Sequence, residues 1–128
     1  MKSLKPKDAL AFLRANPQAV FVDVRARAEH LFVGHPPGAR HVAWNDVPDW
    51  EINPRFVADV QAIADAAQPV VLICRAGNRS LAAGQALERA GFREVYNVLD
   101  GFEGPLDDHH HRNTIAGWRK DGLAWEQS

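Results

Sequence analysis

The chain has 128 residues, 46% of them hydrophobic and 24% charged, with a formal net charge of −1. That composition belongs to a single globular domain, long enough to bury about two-thirds of the surface its unfolded chain exposes. The near-zero charge gives no general attraction to nucleic acid or acidic membranes, and no apolar run approaches the length of a membrane span.

Pro6 suits the first turn of a helix that carries Leu10 and Leu13 on one face and is stopped by Asn16-Pro17. Ala19 to Val24 reads as a buried strand. A short helical segment over about Ala26 to Phe32 follows, ended by the turn Gly34-His35-Pro36-Pro37-Gly38. Arg40 to Ala43 predicts a short strand. Asn53-Pro54 has the form of an N-cap followed by proline at the first helical position, and Phe56, Val57, Val60, Ile63, Ala64 and Ala67 keep helical spacing up to Pro69. Val70 to Ile73 is a strand. Ala82, Ala83, Ala86, Leu87 and Ala90 then mark one face of a helix that closes at Gly91, and Glu94 to Leu99 is the last strand. Apolar strands without clear alternation, separated by helices, predict an α/β fold whose parallel sheet is covered on both faces. In such folds ligands sit at the carboxyl ends of the strands, where Asp23 and Cys74 both fall.

Cys74 is the only cysteine, so an internal disulfide is impossible and any thiol chemistry needs an external partner. This usage fits a reducing compartment, and the N-terminal residues Met1 to Asp8 lack an apolar signal core, which together point to a cytoplasmic protein. The thiol sits between a strand and a helix, on the turn Cys74-Arg75-Ala76-Gly77-Asn78-Arg79-Ser80. Such a turn directs backbone N–H groups inward, and the helix behind it adds partial positive charge. Both effects favour a nucleophilic thiolate over a thiol. The alternative is a buried structural cysteine. The flanking Gly77, Asn78, Arg75 and Arg79 favour the anion-binding turn.

The order of motifs resembles the rhodanese family of sulfurtransferases. The resemblance rests on Val22-Asp23-Val24-Arg25, on Glu29-His30 before Gly34-His35-Pro36-Pro37-Gly38-Ala39, on Cys74 to Ser80, and on Gly91-Phe92 leading to Val95-Tyr96-Asn97-Val98. It implies a central parallel sheet of about five strands with helices on both faces, in one domain spanning 1–128. The family's Gly-Gly pair is replaced by Asp100-Gly101, and the following tryptophan, Trp118, arrives late. A polar insertion at about 103–116 accounts for the delay and forms either a wall over Cys74 or a neutral surface loop.

The chemistry implied by the resemblance is a double displacement with no cofactor beyond a covalent persulfide on Cys74. Cys74 attacks a small donor such as thiosulfate or a persulfide, and an acceptor such as cyanide, glutathione or a protein thiol then removes the sulfur. Arg75, Ala76, Gly77, Asn78, Arg79 and Ser80 form the substrate and persulfide loop. Arg75 and Arg79 either bind the anionic donor or brace the loop, one of them tied to Asp23; Arg25 either braces neighbouring loops or touches substrate, and Asp23 is read as a structural partner. The competing readings are a sulfur-carrier or protein-binding module with little turnover, and a cysteine phosphatase. The phosphatases need a longer loop than the four residues between Cys74 and Arg79. His30, His35 and His41 are read as supporting turns, and the triplet His109 to His111 as a solvated loop and not a metal site.

Overall fold

A computed structural model describes all 128 residues. Its elements are β1 (Lys2–Leu4), α1 (Pro6–Ala15), β2 (Val20–Asp23), a π-helical turn (Glu29–Val33), β3 (Arg40–His41), α2 (Phe56–Gln61), β4 (Val70–Ile73), α3 (Asn78–Arg89) and β5 (Val95–Val98). The strands form one parallel sheet in the order β1-β5-β4-β2-β3. No helix is long and apolar enough to cross a membrane.

Successive residues of a strand point to opposite faces, and both faces here are covered. Val22, Val70, Leu72 and Val95 join Phe56 and Val60 of α2 and Ala83 and Leu87 of α3 in one core. Phe21, Val71, Ile73 and Val98 join Ala9 of α1 and the later residues Phe102 and Trp118 in the other. Every residue of β4 is therefore buried, which explains why its sequence is a continuous apolar run.

The punctuation read from the sequence acts as expected at most ends. The Asn16 N–H and side-chain amide both donate to the Phe12 carbonyl, closing α1 before Pro17. Gly91, at φ +99°, lets its N–H and that of Phe92 return to the carbonyls of Glu88 and Leu87 at the end of α3. Four expectations need correction. The helix expected to follow Asn53 with Pro54 at its first position begins at Phe56, after Arg55, and the Asn53 side chain accepts the Arg55 N–H. The strand read from the residues as the first is the second: Lys2–Leu4 precedes it and pairs with β5 at the sheet edge. The helix predicted to run towards Pro69 ends at Gln61, because the Asp65 carboxylate accepts the N–H groups of Ala67 and Gln68 and folds a tight turn. The strand expected at Arg40 to Ala43 stops at His41.

Candidate active site

Cys74 is the first residue beyond β4, at the carboxyl end of the sheet, and is 1% exposed. Its carbonyl accepts the Phe102 N–H at 2.8 Å, and the Arg75 carbonyl accepts those of Glu103 and Gly104 at 2.9 and 3.2 Å. These bonds tie the start of the loop to the connection after β5. Gly77 takes φ +106°, and its N–H donates to Cys74 Sγ at 3.1 Å. Ser80 Oγ lies 3.2 Å from the same sulfur, within reach of the Gly77 carbonyl and closest to Asn97 Oδ1. A hydroxyl has one proton to give and a rotor on which to turn it. The serine can direct that proton to Asn97 or to the sulfur. Asn97 stands in the sequence only as a member of the Val95 to Val98 motif, and its meeting with the loop depends on β5 lying beside β4.

Cys74, Arg75, Ala76, Asn78 and Arg79 enclose a cavity of about 170 Å³. Arg75 and Arg79 also line a neighbouring cavity of about 240 Å³ with Glu29, Asn45 and Trp50. The predicted loop residues are thus gathered in one place, but the charges pair differently from the expectation. Neither Arg75 nor Arg79 is tied to Asp23. Arg79 forms a two-pronged pair with Glu29, with Nη1–Oε1 at 2.7 Å and Nη2–Oε2 at 3.0 Å. Burial opposes both charges, yet the pairing outweighs it and leaves the Glu29 carboxyl below its ordinary range and the Arg79 guanidinium above its own. Sequence reading used Glu29 only as a motif residue and did not foresee this contact.

Asp23 belongs instead to Arg25. Both are completely buried; Arg25 Nε and Nη2 donate to the two carboxylate oxygens at 2.9 and 2.7 Å, and Nη2 also reaches the Gly34 carbonyl. His30 Nδ1 lies 2.7 Å from the second oxygen. Burial alone would raise the Asp23 pKa; the contacts with His30 and Arg25 overcome it and hold the value at about 2. The Arg25 guanidinium lies over the Phe102 ring, 4.6 Å from its centroid. Arg25 is therefore a brace joining β2, the Gly34 turn and the segment after β5. Beside it His35 stacks on the His30 ring with centroids 3.9 Å apart, and His41 lies tilted to His30 at 5.0 Å.

Residues 103–116 line neither cavity beside Cys74. Glu103 and Gly104 brace the loop from outside, while the Asp107 carboxylate accepts the N–H groups of His109 and His111 and the Thr114 hydroxyl. That arrangement makes the histidine triplet part of a turn organised by Asp107.

A parallel α/β sheet that ends in a cysteine-centred, arginine-flanked turn opening a helix defines a class of thiol-bearing α/β domains. The model of the rhodanese-like domain matches residues 5–106, and the chain belongs to that family. The crystal structure of Rv0390 from M. tuberculosis superposes with a TM-score of 0.90 at 40% identity, covering 100% of this chain and 98% of that one. A thiosulfate sulfurtransferase GlpE of Pseudomonas putida is 37% identical over 102 residues, 80% of this chain and 82% of its own. An uncharacterized protein of Rickettsia conorii is 31% identical over 122 residues, 92% of this chain and 91% of its own.

Proposed function

We propose that the protein is a sulfurtransferase that carries sulfane sulfur as a Cys74 persulfide. The observation that carries the reading is the pair of donors on the sulfur, Gly77 N–H and Ser80 Oγ, in a cavity flanked by two arginines. The Cys74 thiolate attacks the outer sulfur of thiosulfate, the S–S bond of the donor breaks, and sulfite leaves with the bonding pair. A thiophilic acceptor then attacks the outer sulfur of the persulfide and returns Cys74 as thiolate. Preorganised N–H and O–H groups stabilise negative charge as it passes along the sulfurs. Turning the Ser80 proton from Asn97 to the sulfur adds a donor when the charge arrives.

In this reading Arg75 and Arg79 meet the anionic donor, Ala76 and Asn78 shape the cavity, and Asp23 and Arg25 hold the elements around it. Residues 1–128 act as one domain, with 103–116 a polar insertion whose first residues, Glu103 and Gly104, brace the loop. The GlpE relative, named as a thiosulfate sulfurtransferase, supports thiosulfate as donor. Mass spectrometry after thiosulfate treatment is expected to show one added sulfur on Cys74, absent in Cys74→Ser. If neither thiosulfate nor a small persulfide loads the wild type, the proposal fails.

One observation favours a second reading. Because Glu29 already occupies Arg79, Arg75 is the one loop arginine without an ion-pair partner, which weakens capture of a free dianion. That suits a carrier loaded by another protein. Steady-state sulfite release separates the two: sustained turnover identifies the enzyme, and loading with little turnover identifies the carrier.

A further inference from the structure

The cavities at the carboxyl end of the sheet form a track. The small cavity at Cys74 shares Arg75 and Arg79 with the middle one, and the middle one shares Glu29 and Trp50 with an apolar groove of about 550 Å³. Ala28, Leu31 and Phe32 form one wall of the groove, and Val47 and Trp50 the other. Phe32, Val47 and Trp50 are 70%, 65% and 48% exposed, so this is unspent apolar surface beside the reacting atom.

Polar contacts fix the groove's walls. The Arg27 N–H donates to Asp46 Oδ2 at 2.8 Å, joining the two sides. The carbonyls of Leu31 and Phe32 accept the Ser128 N–H and the Gln127 side-chain amide, fixing the first wall from outside. Its volume lies in the range of small-molecule sites. Its inner end narrows to the cavity that holds a nearly inaccessible sulfur, which admits a slim thiol on a flexible body more readily than a cysteine rooted in another protein's backbone.

Resting on the sulfurtransferase reading, we propose that this groove seats the apolar body of a small organic thiol, which takes sulfur from Cys74 through the Arg75–Arg79 constriction. In the transfer the organic thiolate attacks the outer sulfur of the persulfide. A new S–S bond forms on the organic sulfur, the Cys74 S–S bond breaks, and its electron pair returns to Cys74. The product is an organic persulfide, with no external oxidant or reductant consumed.

Primary alkanethiols of increasing length share one reactive group and differ only in apolar body, so they isolate the groove. With Cys74 loaded from thiosulfate, the second-order unloading rate followed by mass spectrometry is expected to rise about two- to fourfold per methylene from ethanethiol to hexanethiol. The exposed-site variants Phe32→Ser and Val47→Ser should flatten this dependence, and Ile115→Ser, an exposed apolar position that lines none of the three cavities, should retain it. A flat series in the wild type, or an equal slope in the groove variants, overturns the proposal. Binding is read independently on unloaded protein from the Trp50 indole N–H resonance during hexanethiol titration. A saturable shift there, weakened by Val47→Ser, supports the groove even when thiosulfate fails to load Cys74, a failure that would count against the donor reading alone. No shift at Trp50, or self-association that Val47→Ser abolishes without any response to thiol length, sinks it.

Discussion

At Asp23 a buried carboxylate is worth keeping charged only because Arg25 and His30 surround it. Asp23→Asn would leave the Arg25 guanidinium buried without its counter-charge. Chemical denaturation should show a loss of about 3–5 kcal/mol. The wild type also has a defined acid response. The Asp23 pKa is lowered to about 2 from its ordinary 3.8, so its contribution is complete above the unfolded value and disappears as pH falls through the folded one. Stability curves measured between pH 5 and pH 2 should lose about 2 kcal/mol from this group. Under the proposed transfer, the effect at Glu29 falls on the anionic donor instead. Glu29→Gln keeps an acceptor for the Ala26 N–H while removing the charge that competes for Arg79. The KM for thiosulfate is expected to fall about fivefold and to become more salt-sensitive, and an unchanged KM would remove Glu29 from any role in anion capture.

Elements position these residues, and their legibility in the sequence followed the length of the signal each one carries. β4 and α3 were readable because an apolar run and a helical apolar face lie between Pro69 and Gly91. β1 was not, since three residues with Lys2 and Ser3 exposed show no buried pattern. The end of α2 was hidden in Asp65, whose side chain competes with the helix for backbone N–H groups. The site followed the same rule. The Cys74 to Ser80 turn was visible in consecutive residues, whereas Arg79 and Glu29 lie 50 positions apart and meet only because β2 and β4 are neighbours. An unforgiving joint beside the site is Gly101, which supports the turn from the next connection. It takes φ +61°, and a Cβ there would stand 2.7 Å from the Arg75 carbonyl oxygen. Gly101→Ala should lower stability by about 1–3 kcal/mol from backbone strain alone, and thermal unfolding would reveal it; a variant as stable as the wild type would mean the joint yields at little cost.

Across the whole molecule, the last residues fold back to the site end of the sheet. The Glu126 N–H donates to the His35 carbonyl while the Glu126 carbonyl accepts the His35 N–H, and Trp118 fills the core against Phe21. The thiol at that end is kept inside as well. A disulfide requires Cβ atoms about 3.8 Å apart. Cys74 is 1% exposed behind its own loop, so two copies cannot approach that closely without opening both. Mild peroxide should therefore leave the protein monomeric on a non-reducing gel and add oxygen to Cys74, the sulfenic step of thiol oxidation. The fold that presents a lone sulfur to small reagents also quarantines it from every other copy of itself.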